Sequence, residues 1–252
     1  MIEIKNLTRK FGSFEAVQDM SLSVRTGELF CFLGPNGAGK TTTIKMLTGL
    51  LRPTSGIARI CGIDIQQNPI DVKKKIGYIP DMPFLYERLT ATEFFRFTAD
   101  LYDINPNTIQ GACTESFKLF GIYDYRNMLI KDLSHGIRQR LIYAATFLHI
   151  PEVLFIDEPL VGLDPYSIRL IKDLLKEKAR NGMTIFLTTH ILAVAEDIAD
   201  RIGIIFQGRL IVVGTLKELL AMNKSCNNLE DIFLHLTEKS TPVKTIIEEG
   251  LQ

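Results

Sequence analysis

The stretch Glu28-Leu29-Phe30-Cys31-Phe32-Leu33-Gly34-Pro35-Asn36-Gly37-Ala38-Gly39-Lys40-Thr41-Thr42 decides the fold. Its first six residues form a short, nearly continuous apolar run, the pattern of a strand buried on both faces of a parallel sheet. The next nine fit G-x-x-x-x-G-K-[ST], and Thr41 to Leu50 reads as a helix, so the order is strand, loop, helix, as that pattern requires. Glycines let the backbone curl until successive N–H groups face inward around phosphate oxygens. The helix beginning near Lys40 adds its N-terminal dipole to the same anion site. On this reading Gly34, Pro35, Asn36, Gly37, Ala38, Gly39, Lys40, Thr41 and Thr42 cradle nucleotide phosphates, with Lys40 reaching the β- and γ-phosphates and the Thr41 hydroxyl ligating Mg²⁺.

Two further runs, Val153-Leu154-Phe155-Ile156 and Met183-Thr184-Ile185-Phe186-Leu187, read as buried strands, and helices are predicted after them over Tyr166–Arg180 and Leu192–Ala199. Strand-then-helix repetition indicates an α/β core around a mainly parallel sheet. Ligand chemistry in such sheets gathers at the carboxyl ends of the strands. One run ends there in Asp157-Glu158-Pro159: Asp157 is placed to hold Mg²⁺ through a water, and Glu158 to take a proton from an attacking water. Another ends in Thr188-Thr189-His190, where His190 is placed to donate to a γ-phosphate or to that water. His149 and His235 read as ordinary residues.

Farther out, Ile2–Lys10 and Ala58–Ile65 read as exposed strands, and residues 201–206 turn at Gln207-Gly208 into a hairpin with 209–213; together they predict an antiparallel patch beside the parallel core. Strand signal vanishes between Thr90 and His149, where Ala91–Tyr102, Pro106–Phe120 and Ser134–His149 read as an inserted set of helices. The expected division is a catalytic domain over residues 1–222, with the insertion at about 90–149, and a C-terminal tail over 223–252.

Composition agrees with a folded cytosolic chain. Of 252 residues 46% are hydrophobic, which excludes disorder, and 29 basic side chains balance 29 acidic ones, which argues against nucleic acid as partner. No run reaches the roughly 20 apolar residues of a membrane span, and no signal peptide opens the chain. The four cysteines lack any C-x-x-C pairing and read as buried thiols.

Leu133-Ser134-His135-Gly136-Ile137-Arg138-Gln139-Arg140, about twenty residues before Asp157, resembles the signature motif of the ATP-binding subunits of ABC transporters. Gly162-Leu163-Asp164-Pro165 is similar to that family's D-loop, His190 falls on its switch histidine, and Phe11-Gly12 matches the aromatic on which adenine stacks. The resemblance runs in order from Ile2 to about Gly214. It implies a P-loop NTPase core of α/β class with a mainly parallel sheet, an antiparallel β subdomain and a helical insertion. It implies ATP and Mg²⁺ as ligands, with Phe11 added to the nucleotide site, and catalysis by Glu158, His190 and Lys40. It also implies a head-to-tail homodimer, or heterodimer with a second ATPase subunit, in which Ser134, His135 and Gly136 of one copy close over the ATP of the other and Asp164 communicates between them. Integral membrane permease subunits would then hold the chain peripherally on the inner face of the cell membrane.

Two departures from the family pattern stand out. LSGGQ is here Leu-Ser-His-Gly-Ile, so His135 replaces a glycine and Ile137 a glutamine. Asp81, after Ile76-Gly77-Tyr78-Ile79-Pro80, stands where most members carry a glutamine that helps ligate Mg²⁺, which makes Asp81 a further metal candidate. Asp81, the short insertion and Asn228–Leu236 resemble the exporter branch that handles drugs, polysaccharides, sodium or haem-maturation cargo. An importer subunit is the nearer alternative; a soluble relative acting on ribosomes or DNA is the farther one, with one phosphate loop, no heptad run and no C-x-x-C against it. For a permease, Met82–Arg96 offers Phe84, Leu85, Tyr86 and Phe95 as a gripping surface, the alternative being that these aromatics, Phe94 and Phe95 above all, form the insertion's own core.

Overall fold

The three apolar runs lie side by side. In the computed structural model, which describes residues 1–238 apart from Pro83, Pro159, Val161, Gly162 and 223–225, they form β3 (Leu29–Leu33), β7 (Val153–Asp157) and β8 (Thr184–Thr189), and every residue of all three is buried. That is why their sequences are continuous rather than alternating. With β6 (Ile76–Ile79), β9 (Arg201–Phe206) and β10 (Arg209–Gly214) they build a six-stranded sheet in the order β10-β9-β3-β8-β7-β6. All its pairs are parallel except β9–β10.

Successive side chains of these strands enter opposite layers. Phe30, Phe32, Phe155 and Phe186 point to one face, where Phe186 lies 5.4 Å from each of the first two rings and 5.8 Å from the third. There they meet Ile44 and Leu47 of α1 (Lys40–Leu47) and the inner face of a second sheet. Leu29, Cys31, Leu33, Leu154, Ile156, Ile185 and Leu187 face the other way, onto α5 (His135–Thr146), α6 (Pro165–Arg180) and α7 (Leu192–Ile198).

The second sheet is antiparallel, in the order β2-β1-β4-β5, from β1 (Ile2–Phe11), β2 (Phe14–Val24), β4 (Ser55–Ile60) and β5 (Ile63–Asp64). Three sequence expectations are corrected here. The hairpin β9–β10 does not join this sheet but edges the parallel one. The run Ala58–Ile65 is broken at Cys61-Gly62, both at positive φ. Strands β2 and β6 were not anticipated: β2 has one exposed face and so half its residues are polar, and β6 has only four residues, directly after α2 (Pro69–Lys75).

The insertion contains α3 (Ala91–Leu101), α4 (Pro106–Leu119) and α5, with short 3₁₀ turns between and after them. A capping box fixes the start of α3: Thr90 accepts from the Glu93 N–H while Glu93 accepts from the Thr90 N–H. That phase buries Ala91, Phe95 and Ala99 on one stripe, and Phe95 packs edge-on to Phe117 at 5.3 Å. Phe95 and Leu85 therefore belong to the core and leave the proposed gripping surface; Met82, Phe84 and Tyr86 stay exposed.

After α8 (Leu216–Met222), α9 (Leu229–Glu238) buries Leu229 and Ile232, and the Leu229 N–H donates to Glu196 of α7 at 3.1 Å. The remainder of the expected tail, 239–252, lies outside the described residues. Of the free cysteines Cys31 and Cys113 are buried, whereas Cys61 and Cys226 are half-buried. Among the described residues no helix is long and apolar enough to cross a membrane.

Candidate functional site

Adjacency of β3, β8 and β7 brings their carboxyl ends together, and each end carries part of the site. After β3 the chain bends through Gly34–Gly39 into α1. Gly39 cannot be replaced without rearrangement: its φ is +109° and a Cβ there would stand 2.5 Å from the Ala16 carbonyl oxygen. The buried Lys40 side chain folds back into its own loop, where Nζ donates to the carbonyls of Gly34 at 2.7 Å and Pro35 at 3.1 Å.

Glu158, just past β7, supplies the counter-charge. Its backbone sits at φ +51°, a left-handed conformation that is costly for a non-glycine residue and common at functional sites. The turn sends the carboxylate back across the strand ends: Oε1 lies 3.4 Å from Lys40 Nζ, and Oε2 lies 2.9 Å from Nδ1 of His190 at the end of β8. Asp157 is buried beneath, accepting from the Thr188 hydroxyl, and the Glu158 N–H donates to the Thr188 carbonyl at 3.1 Å. The structure thus gathers Lys40, Asp157, Glu158 and His190 in one place.

A cavity of about 350 Å³ opens in front of them, lined by Asn36, Gly37, Gly39, Lys40, Thr41 and Thr42 of the loop, by Asp81 and Glu158, and by Phe11, Phe14 and Ala16. Phe11, expected at the nucleotide site, borders this cavity. Phe14 was missed, because only the β1–β2 register, which pairs Phe11 with Phe14 across the turn, shows that both rings border the cavity. The Asp81 carboxyl is held above the usual carboxylate range, first by burial and then by the negative charges of Asp157 and Glu158. Hydroxyl and carboxylate oxygens are the donors that Mg²⁺ prefers, and a divalent cation among Thr41, Asp157 and Asp81 would offset this crowded negative charge, so these residues fit the metal.

Ser134, His135, Gly136 and Asp164 gather elsewhere: none lines the phosphate-loop cavity among the described residues. Ser134 caps α5 by accepting from the Ile137 N–H at 3.4 Å. Asp164 caps α6, accepting from the Ser167 N–H at 3.0 Å and its hydroxyl at 2.6 Å, and these bonds hold its carboxyl below the usual range. A Cβ at Gly136 would lie an ordinary 3.7 Å from Asp164 Oδ2, so the two motifs adjoin within one chain. His135 is exposed at the first turn of α5. Gly162, the first residue of the predicted D-loop, lies outside the described residues.

Ile137 explains its own departure. It is buried, sharing one core with Leu141 and Ala144 of the same helix face. Ile137→Gln would restore the usual residue but put an amide into that core, and is expected to cost about 1–3 kcal/mol. A urea midpoint unchanged from the parent would contradict this placement.

The family model of the ABC transporter matches residues 17–161. Over 223 residues the chain is 37% identical to the probable multidrug ABC transporter ATP-binding protein YbhF of Escherichia coli (strain K12), covering 88% of this chain. The chain spans 38% of YbhF's length. A solved structure of the ATP binding subunit of an ABC transporter superposes with a TM-score of 0.88 at 31% identity, covering 94% of this chain and 99% of that one. The dimeric post-hydrolysis structure of the ATP-binding cassette MJ0796, bound to ADP and Pi, does so with a TM-score of 0.78 at 26% identity, over 86% and 99% respectively. With its phosphate loop, paired carboxylates and histidine on adjoining strand ends, the chain belongs to the ABC transporter family.

Proposed function

We propose that this chain is the ATP-hydrolysing subunit of an ABC exporter, and that two copies, or one copy and a paired relative, close over two ATP molecules to drive a separate permease. The observation that carries the reading is that Glu158, which lines the cavity together with Lys40, meets Lys40 with one carboxylate oxygen and His190 with the other. Lys40 is held ready by weak partners of its own loop, and phosphate oxygens outcompete neutral carbonyls for an ammonium. Lys40 then holds the β- and γ-phosphates, and the loop N–H groups cradle them. Thr41 and Asp157, with Asp81 beside them, would hold Mg²⁺, which would supply positive charge against the negative charge of the phosphates. Glu158 takes the proton of the attacking water, and His190 fixes the Glu158 carboxylate until the γ-phosphate claims the ring. Adenine stacks at the Phe11 end.

In this reading residues 1–222 are the ATPase domain and 223–252 an appended tail. Ser134, His135 and Gly136 face the ATP of the other copy, with Asp164 next to them. Gly136→Ala tests this: space around a Cβ at position 136 is ordinary, so the isolated chain should fold, with a melting temperature within about 3 °C of the parent, a change on the order of 1 kcal/mol. ATP hydrolysis at high protein concentration should nevertheless fall at least roughly tenfold, the loss of one hydrogen-bonded phosphate contact. Undiminished turnover would rule out Gly136 as part of the closed site.

Exposed Met82 and Phe84, with Tyr86, border a cavity of about 680 Å³ between residues 81–88 and the start of α5. Such an apolar surface suits a permease helix. YbhF's description as part of a multidrug transporter supports export over import. Co-expression with a candidate permease, a protein of about six hydrophobic spans sought among the neighbouring genes, tests the whole reading. Copurification, with ATPase activity raised by the permease, is expected; a neighbouring periplasmic binding protein and uptake of its ligand would establish import instead.

A further inference from the structure

Phe11 is not alone at the base end of the cavity. It is the last residue of β1, about half exposed at the tip of the β1–β2 hairpin, where an unsupported ring would turn freely. Two residues earlier on the same strand, the Arg9 guanidinium carbon stands 4.5 Å from the centroid of the Phe11 ring. Arg9 is itself tethered: one terminal nitrogen donates to the Arg52 carbonyl at 2.8 Å, in the segment that follows the phosphate-loop helix α1. Its Nε is buried and has no hydrogen-bond partner among the described residues, so the side chain is held at the ring by stacking and this single tether. The neighbouring Lys10–Glu15 ion pair and the Lys10 N–H bond to Thr54 at 3.0 Å close the hairpin stem beside it.

We propose that Arg9 is a positioning residue for the purine base, acting through Phe11: it backs one face of the ring so that the other is presented, already oriented, to the nucleotide. The inference rests on the reading that Phe11 stacks on adenine. Two physical effects favour it. Ordering the ring before the ligand arrives removes part of the entropy that stacking would otherwise cost. A cation over one face also draws the ring's π-density toward itself, leaving the opposite face less negative toward the π-face of a heteroaromatic base. The tether to Arg52 sets the ring relative to α1, so base and phosphate sites are held at a fixed separation.

The test uses the full chain, with ATP and with inorganic tripolyphosphate as a base-free probe, by calorimetry. Arg9→Ala is expected to weaken ATP binding about 3–10-fold, the range of a cation–π contact, and to leave tripolyphosphate binding unchanged. Arg9→Lys should recover part of the loss, which should fall on the KM for ATP. In the Arg9→Ala/Phe11→Ala double variant the loss should be no larger than for Phe11→Ala alone. If Phe11→Ala weakens ATP binding and Arg9→Ala does not, the proposal fails while the stacking reading stands. If Phe11→Ala has no effect, the stacking reading itself falls and the proposal with it. Tighter ATP binding by Arg9→Ala would show Arg9 to be a cover rather than a support, and equal losses for both probes would show general loosening; each overturns the proposal.

Discussion

Glu158→Gln is expected to bind ATP and to hydrolyse it at least about 100-fold more slowly, since general-base catalysis of this kind contributes roughly 10²–10⁴-fold. The amide has the size of the carboxyl and keeps one acceptor oxygen, so the positive φ at position 158 and the course of the strand end are unaltered. Proton affinity is what is removed. The neutral amide keeps a hydrogen-bonding group where Oε1 and Oε2 now stand at 3.4 Å from Lys40 Nζ and 2.9 Å from His190 Nδ1, but it no longer offers Lys40 a counter-charge. Lys40 is thereby freed for phosphate rather than lost, and ATP affinity should hold or rise. Binding without turnover should trap the closed pair, visible as a dimer by light scattering in ATP and a monomer in ADP. Turnover within about twofold of the parent, against the loss of roughly 100-fold or more, would exclude Glu158 as the base.

Much of this arrangement was legible in the sequence, for reasons that differ by element. Strands β3, β7 and β8 announced themselves because burial on both faces makes their runs nearly continuously apolar, with polar residues only at the strand ends. The β9–β10 hairpin was marked by Gln207-Gly208, both at positive φ in the structure. Strand β2 was passed over because its alternation at Met20, Leu22 and Val24 is weaker than a continuous run, although the period of two is there to be read. Which of Phe94 and Phe95 is core depends on the phase of α3, and the Thr90–Glu93 capping box sets that phase. Ile137 in place of glutamine became intelligible only when the helix face it shares with Leu141 proved to be buried. The residue types of the cluster at the strand ends were readable, but its closure was not. A single left-handed residue, Glu158, directs the carboxylate to His190 and Lys40, and a glutamate carries no sequence sign of that conformation. Phe14 and Arg9 were invisible for a related reason: what matters about them is how they stand to Phe11 at the hairpin, and register is a tertiary quantity.

Lys40→Ala should cost more in binding than any other single change. The ammonium bonds two carbonyls and lies 3.4 Å from Glu158, all within a nearly solvent-free setting. Hydrogen bonds involving a charged group contribute about 1.5–3 kcal/mol each, so losing two of them to phosphate oxygens should weaken ATP binding by roughly 10²–10⁴-fold. Alanine adds a second penalty in the bound state, because Glu158 then faces the triphosphate without an intervening cation. The unliganded fold is less affected: His190 still meets Glu158, and the Gly34 and Pro35 carbonyls can turn to water through the open cavity. Thermal melting separates these terms. At ATP near 100 times the Kd the parent gains about 2.7 kcal/mol, or roughly 5–10 °C for a chain of this size. Lys40→Ala should melt within a few degrees of the unliganded parent and show almost no shift at the same ATP concentration. A full ligand-induced shift in that variant would mean that the triphosphate is held elsewhere, and the phosphate loop would lose its assignment.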